Sequence, residues 1–199
     1  NKNMKKIFFT IALAMITTFS FATEPHIDNV RVDTKNSTVK WIGSKISENH
    51  EGTINISNGL LMIDHGKLVG GEFSIDMKSI STTDMSDKLN KKLDGHLKNE
   101  DFFNVDEFPI ANITLIKINK DDNNSYKIVA NLTIKGITHP ITFAADIAIN
   151  GIDFSATAKI KIDRTKWDIK YGSGSFFENL GDKIILDDIV LDVFLVSVK

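Results

Sequence analysis

The sequence predicts an all-β protein, an eight-stranded antiparallel up-and-down barrel with one short amphipathic helix packed at its opening. Apolar and polar residues alternate with a period of two over most of the chain, which gives each segment one dry face and one wet face. Short polar turns separate consecutive segments, as in antiparallel hairpins. Only one segment has the four-residue apolar spacing of a helix. Mostly consecutive strands of this kind are typical of a closed barrel.

The clearest alternation lies between Ile152 and Ile162, where every even position is apolar and every odd position is polar. Runs that begin at Tyr126 and Ile141 repeat the pattern. Asn150-Gly151 stands between two such runs and is a strong hairpin signal. The predicted strands are residues 38–46, 51–64, 67–80, 110–119, 125–135, 139–150, 152–163 and 183–198.

The predicted helix runs from Asp84 to Lys98. Thr82 or Thr83 can cap its first turn, and acidic residues at 84 and 87 would interact favourably with the helix dipole. The apolar stripe of this helix has one residue every four positions: Met85, Leu89, Leu93 and Leu97. Such a stripe predicts that the helix packs against the barrel, across an opening.

The N-terminus has the three parts of a secretory signal peptide. Lysines stand at residues 5–6, an uncharged apolar run follows at residues 7–19, and residues 20–22 form a small-x-small cleavage signal. We therefore predict a signal peptide at residues 1–22 and one domain at residues 23–199. Cleavage would remove three lysines and no acidic residue, so the net charge would change from −2 to −5. We expect a periplasmic location, because no second sorting signal is present.

The composition excludes several classes of function. The chain has no cysteine, which excludes disulfides, cysteine–zinc sites and thiol catalysis. A mildly acidic exported protein has no electrostatic reason to bind nucleic acid or an anionic membrane surface. After the N-terminal run, no uninterrupted apolar span approaches about 20 residues, so we expect no stable membrane insertion.

The histidines indicate no metal site, because none of them stands in HxxxH or HExxH spacing. They are dispersed at positions that include His50, His65, His96 and His139. His96, between Asp94 and Asp101, either fixes the turn after the helix through hydrogen bonds or meets a polar group of a ligand. Asp163 and Arg164 at a strand end form either a salt-bridged turn or a similar ligand contact.

Motifs for catalysis and for cofactors are absent from the sequence. Residues 172–175 read GSGS and lack the G-x-S-x-G nucleophile pattern, and the chain has no phosphate-binding loop or dinucleotide fingerprint. The adjacent carboxylates Asp187 and Asp188 would face opposite sides of a strand. We therefore predict no cofactor and no enzymatic activity, with a hydrolase as a less favoured alternative.

The alternation does not decide whether the barrel interior is filled or hollow. An eight-stranded barrel is either just filled by side chains or able to hold one small ligand. Several inward positions carry small residues, namely Ala130, Ala145, Ala156 and Ala158. These alanines either leave room for a ligand or accommodate a neighbouring helix and the taper of the barrel.

Four blocks of sequence carry a resemblance to a known family. They are NKKLDGHLKNEDFFNVDEFP at residues 90–109, LTIKGITHPI at 132–141, IDRTKW at 162–167 and GD at 181–182. In this order, from about Val30 to the C-terminus, they resemble the YceI-like family of bacterial exported lipid- and polyisoprenoid-binding proteins. The chain departs from residues common in that family at Leu93, Lys98 and Asp168.

The resemblance implies a lipocalin-like barrel whose interior holds a long apolar chain, such as a polyisoprenoid, an isoprenoid quinone or a fatty acyl compound. The residues expected to line the interior or its opening are Trp41, Phe73, Ile75, His96, Phe102, Phe103, Phe108, Ile128, Ala130, Phe143, Ala145, Phe154, Ala156 and Trp167. Any one of them could equally be ordinary core, so the hypothesis concerns the set. A structural or adhesive barrel without ligand is the main alternative function, and an exposed edge or aromatic rim could support a homodimer.

Overall fold

The fold is described by a computed structural model for residues 26–121 and 124–199. The predicted signal peptide at residues 1–22 lies outside the described residues. The strands are β1 (Ile27–Arg31), β2 (Thr38–Lys45), β3 (Asn49–Asp64), β4 (Lys67–Thr82), β5 (Ile110–Lys120), β6 (Ser125–Ile134), β7 (Ile137–Asn150), β8 (Asp153–Asp163) and β9 (Ile185–Val196), with helix α1 at Asp87–Lys98. A 3-10 helix, Arg164–Trp167, follows β8, and another, Gly181–Lys183, precedes β9.

The strands β2 to β9 form a closed, antiparallel, up-and-down barrel. Each strand from β2 onward pairs with the next one along the chain. The barrel closes where β9 pairs with β2, in a register that runs from Thr38 opposite Phe194 to Lys45 opposite Ile185. The predicted fold class, an eight-stranded barrel with one helix at its opening, is therefore confirmed.

Strand β1 was not predicted, and it adds a ninth strand outside the barrel. It pairs with β3 between Leu60 and Asp64, whereas β2 pairs only with the first part of β3, as far as Ile54. β3 is 16 residues long and β2 only 8, so the second half of β3 would otherwise present a free edge. β1 covers that edge.

Most element boundaries differ from the prediction by no more than two residues, and two differences change where a predicted residue lies. Ile152 is 62% exposed because it lies in the turn before β8 instead of on the dry face of the strand. Helix α1 begins at Asp87, three residues later than predicted, with Ser86 as its N-cap. Met85 lies before the helix because the Asn90 side chain binds its backbone, accepting from the N–H and donating to the carbonyl at 3.1 Å each.

The alternating inward residues of the strands form one hydrophobic core. At one place the core requires a glycine. A Cβ atom on Gly52 would overlap the Ser81 carbonyl and come within 2.6 Å of the Trp41 ring. The missing side chain therefore lets the Trp41 indole lie flat against β3, where its Nε1 donates to the Thr53 carbonyl at 3.2 Å.

Candidate ligand-binding cavity

The barrel encloses an apolar cavity of about 220 Å³. For scale, an engineered apolar cavity of about 150 Å³ stays dry and binds benzene. The cavity runs from the mouth, which we define as the barrel end covered by α1, towards the floor, which is the end that carries the β7–β8 turn. The polar side chains along its walls are few: Ser44, Lys45, His50, His96, Thr157 and Arg164. All of these except Thr157 belong to segments at the mouth, so most of the interior offers only hydrocarbon contact.

Ten of the residues predicted from the sequence line this cavity. They are Trp41, Phe73, Ile75, His96, Phe102, Phe103, Ile128, Phe143, Ala145 and Ala156. The strand residues among them converge because inward positions recur every second residue along each strand, and closure of the barrel brings these positions face to face. His96, Phe102 and Phe103 reach the wall from α1 and the turn that follows it. Their position on the wall is a structural finding, and their contact with a ligand stays a prediction.

Two of the predicted residues lie on the inner face of the barrel but do not reach the cavity. Ala130 is fully buried between the inward positions of Ile128 and Leu132, and its single methyl group is too short to reach the space that they border. Phe154 is the inward residue next to Ala156 on the floor side. It packs into the floor, beyond the last lining residue of β8.

The other two predicted residues, Phe108 and Trp167, pack at the mouth end but away from the cavity. The Phe108 ring lies beside Gly136 in the β6–β7 turn, where a Cβ atom would come within 3.4 Å of Phe108 Cε1. The Trp167 indole is buried, donates from Nε1 to the Leu132 carbonyl at 3.1 Å and meets the His139 ring edge-on at 5.5 Å. β7 and β8 pair only from Ala145–Ala158 to the turn, so Trp167 occupies the space where the two strands diverge.

Sequence reasoning missed the contribution of β9 to the cavity wall. The lining residues from β9 are Ile185, Leu186, Ile189, Leu191, Val193 and Leu195. The alternation from Ile189 to Leu195 was visible in the sequence as part of the strand predicted at residues 183–198. These residues were not recognised as part of the cavity wall because the pairing of β9 with β2 turns this face inward. That pairing is a long-range contact, which no local pattern reports.

Helix α1 covers the mouth with its apolar side. Leu93, His96 and Leu97 border the cavity, whereas Leu89, one turn earlier, is exposed. The helix is tied to the barrel by Asp94, whose Oδ1 accepts from the Thr82 backbone N–H at 2.7 Å and from the Thr82 hydroxyl at 2.6 Å. Asp94 therefore positions the helix, a role that the sequence pattern did not assign to it.

The His96 side chain packs among aromatic rings at the mouth. Its ring centroid lies 4.4 Å from that of Tyr171 and 5.8 Å from that of Phe102, both edge-on. The turn after the helix is held by backbone hydrogen bonds, from Asn99 N–H to the His96 carbonyl and from Phe103 N–H to the Leu97 carbonyl. The imidazole therefore forms part of the cavity wall and joins α1 to the segment that carries Tyr171.

Arg164 is a buried cation at the mouth, 1% exposed. Its guanidinium donates to three backbone carbonyls: Leu186 at 3.2 Å, Ile169 at 2.7 Å and Ile185 at 3.0 Å. The Asp187 carboxylate lies 3.5 Å from Nη2, and the Phe102 ring centroid lies 5.4 Å from the guanidinium carbon. These contacts join the end of β8, the following loop and the start of β9.

The pKa values of Arg164 and Asp187 are both lowered, but for different reasons. Burial lowers the pKa of Arg164, and the charges of Asp187 and Asp163 offset part of the effect. Burial alone would raise the pKa of Asp187, but hydrogen bonds from Ser175 and Ser173 and the Arg164 charge outweigh it and lower that pKa. Asp163 instead accepts from the Thr165 backbone N–H at 3.0 Å and its hydroxyl at 2.6 Å. A turn is therefore present at the end of β8, but the carboxylate that pairs with Arg164 is Asp187 and not Asp163 as predicted.

A second charged cluster ties the β2–β3 hairpin to the segment before α1. His50 Nδ1 lies 3.0 Å from Asp84 Oδ2, and His50 Nε2 lies 3.7 Å from Glu48 Oε1. Burial would raise the pKa of Asp84, but the hydrogen bond from His50 and those from backbone N–H groups lower it overall. Asp84 was expected in the first turn of the helix and instead anchors the chain before it.

Within residues 26–121 and 124–199, no group of three or more His, Asp or Glu side chains is arranged to hold a metal ion. Over the same residues, no helix is both long enough and apolar enough to cross a membrane.

Comparison with known sequences gives one consistent match. A family model described as a YceI-like domain matches residues 30–196. Protein YceI from Salmonella arizonae is 32% identical over 108 residues, which is 46% of this chain and 56% of that protein. A UPF0312 protein from Yersinia enterocolitica is 30% identical over 108 residues, with the same coverage of 46% and 56%. The matched region thus spans little more than half the length of these curated relatives.

Solved structures share the fold. BcnA from Burkholderia cenocepacia superposes with a TM-score of 0.68 at 23% identity, over 84% of this chain and 99% of that one. A polyisoprenoid binding domain from Saccharophagus degradans, implicated in plant cell wall breakdown, gives a TM-score of 0.59 at 13% identity, over 87% and 98%. A YceI protein from Campylobacter jejuni gives 0.53 at 21% identity, over 98% and 99%.

Proposed function

The chain belongs to the YceI-like family, and on this basis we propose that it is a periplasmic binding protein that sequesters or carries a long-chain apolar lipid inside its barrel. The candidate ligands are a polyisoprenoid, an isoprenoid quinone or a fatty acyl compound. The observation that carries the proposal is the apolar cavity of about 220 Å³ at the centre of the barrel. The polyisoprenoid binding domain of similar fold from Saccharophagus degradans is consistent with this class of ligand.

The size of the cavity indicates how such a ligand would be held. At about 30 Å³ for a group the size of water or a methylene, the cavity takes about seven methylenes. Burying seven methylenes would contribute on the order of 6 kcal/mol before the entropic costs of binding. A longer chain would either move interior side chains apart or continue through the mouth. Leu93, Leu97 and Leu186 border the mouth and offer such a chain apolar contact beside the polar side chains there.

The bonding of the polar groups favours binding over catalysis. The Arg164 guanidinium is bound to three backbone carbonyls, and the Asp94 carboxylate is bound to Thr82. The His96 ring is packed between aromatic rings. A group that is already engaged in holding the fold is poorly placed to take up or release a proton from a substrate.

The direct test is identification of the bound compound. Protein purified from a bacterial host is extracted with organic solvent and the extract is analysed by mass spectrometry, while delipidated protein is titrated with fluorescent prenyl and fatty acyl probes. We expect a long-chain lipid at up to one molecule per chain, and saturable probe binding. Clean extracts together with no probe binding would contradict the proposal and favour a structural or adhesive barrel.

The periplasmic location has a separate test. The full chain is expressed in a Gram-negative host, the periplasm is released by osmotic shock, and the released protein is sequenced from its N-terminus. We expect the protein in the shock fluid with Thr23 as its first residue. Recovery only in the cytoplasm with residues 1–22 still attached would contradict the proposed export without affecting the proposed ligand.

A further inference from the structure

Exposed apolar side chains gather around the mouth of the barrel. We define the apolar rim as the following exposed residues: Ile46, Leu89, Tyr171, Phe176, Phe177 and Leu186. They come from separate parts of the chain, namely the β2–β3 hairpin, α1, the loop at residues 168–184 and the start of β9. Exposed residues of this size are usually scattered singly over a surface. Their occurrence in four separate segments that border one opening therefore calls for an explanation.

Contacts within the mouth bring these segments together. Tyr171 lies against His96 of the cavity wall, and Lys45, next to Ile46, pairs with Ile185 beside Leu186. The loop that carries the two phenylalanines is fixed to β9, because Ile185 N–H donates to the Gly172 carbonyl at 2.8 Å. A second bond, from the Ser175 hydroxyl to Asp187 at 2.6 Å, also fixes it.

The phenylalanines of this loop have no place in the core. Phe176 and Phe177 are each 50% exposed, although the loop is hydrogen-bonded to β9 just before them, at Gly172 and Ser175. Lys170 Nζ lies 5.1 Å from the Phe176 ring centroid, so a cation and an aromatic ring stand together at the edge of the rim. Exposed aromatic rings beside lysines are typical of protein surfaces that lie at the interface between water and a bilayer.

We infer that the apolar rim docks the mouth of the barrel onto the surface of a lipid bilayer. The inference rests on the proposed function, because a lipid cargo is dissolved in membrane and the rim surrounds the opening through which it would pass. Leu186 belongs both to the rim and to the cavity wall, so the apolar surface continues from the outside into the interior. A bilayer covering the rim would give a water-insoluble chain a path that does not cross water.

The charges near the rim specify the kind of bilayer. Lys45 is paired with Glu48 at 2.8 Å and Lys170 with Asp168 at 2.6 Å, so these cations are already balanced by neighbouring acids. Docking through the apolar side chains themselves requires no anionic lipid and changes little with salt. Lys88, Lys91 and Lys92 of α1, which stand beside Leu89, would add a salt-dependent attraction to anionic vesicles.

The experiment is vesicle flotation with the full chain, using vesicles of phosphatidylcholine alone and of phosphatidylcholine with phosphatidylglycerol. The rim variant is Phe176→Ser/Phe177→Ser. The matched control is Ile116→Ser/Ile152→Ser, which removes two apolar side chains of similar exposure away from the mouth. We expect the wild type and the control to float with both vesicle types at low and high salt, and the partition of the rim variant to fall at least about tenfold.

Several outcomes would overturn the docking inference. One is a wild type that does not float, and another is a rim variant that floats as well as the wild type. Flotation only with vesicles that contain phosphatidylglycerol would show that charge, and not the apolar rim, causes the binding. Light scattering is measured on the same samples, and a dimer that the rim variant abolishes, without flotation, would assign the rim to a second copy of this chain.

Probe titration of the same proteins separates this inference from the proposed function. A fluorescent fatty acyl probe that binds wild type and rim variant alike, without flotation, would leave the cavity proposal standing and remove the docking. Flotation of a wild type that binds no probe would support the docking and contradict the cavity proposal.

Discussion

Filling the cavity from within tests whether the ligand occupies the barrel interior, and Ala156→Trp is the suitable change. Ala156 faces inward on β8, opposite Ile147 and Leu195, and lies on the cavity wall. The indole adds nine heavy atoms, which at the packing density of a protein interior occupy on the order of 140 Å³. That is more than half of the cavity volume of about 220 Å³.

The expected loss of affinity follows from the displaced ligand volume. At about 30 Å³ per methylene-sized group, the indole displaces about five methylenes of the ligand. At about 0.8 kcal/mol each, this costs about 4 kcal/mol, which is about a thousandfold in Kd. The measurement is titration of delipidated protein with a fluorescent fatty acyl probe, with mass spectrometry of lipid extracted from the protein as purified.

The matched control is Ala144→Trp, the same change at an exposed position on the outer face of β7. We expect it to bind the probe like the wild type. Both variants are checked for folding by near-UV circular dichroism and thermal unfolding, because added bulk in a core costs about 1–3 kcal/mol where no space exists. A folded Ala156→Trp variant with unchanged probe affinity would refute the reasoning that the ligand occupies this cavity.

Two further predictions concern the Arg164–Asp187 cluster at the mouth. Arg164→Met removes the donor to three backbone carbonyls and the cation beside the Asp187 carboxylate, so we expect urea unfolding to show a loss of about 3–5 kcal/mol, only partly recovered by Arg164→Lys. A loss below about 1 kcal/mol would contradict this role. Because the folded-state pKa of Asp187 is lowered from 3.8, its contribution to stability is complete above that pH and is lost as the pH falls through the folded-state value. Between about pH 5 and pH 3 the Tm of Asp187→Asn should therefore fall less than that of the wild type. If Tm depends on pH in the same way in both proteins, the pKa of Asp187 is not lowered in the folded state.

The strands of the barrel could be predicted from the sequence because burial on one side only leaves a period-two signal. All eight barrel strands lie within about two residues of the predicted positions. β1 was not predicted because its five residues, Ile27–Arg31, include only two apolar residues, three positions apart, and so show no period-two alternation. The difference in length between β2 and β3 would have indicated that some segment covers the end of β3.

The start of the helix and the limits of the cavity depend on contacts that no local pattern reports. Asp84 looks like a first-turn acid in the sequence, but His50, which is distant along the chain, holds it outside the helix. Ala130 and Ala156 have the same residue type and the same inward phase on their strands, yet only Ala156 borders the cavity. The difference arises from the sizes of the neighbouring side chains and from the height of each residue in the barrel, which only the closed structure defines.

The pairing of β2 with β9 has a consequence for how the molecule reaches its native state. These strands are the first and last of the ring, so the ladder from Thr38 to Lys45 cannot form until the final segment of the polypeptide is available. Contacts between positions so distant along the chain make folding slow compared with that of proteins stabilised by local contacts. Until that last pairing forms, both strands present open edges to which other chains can attach, so the polypeptide is most prone to aggregation before β9 is in place.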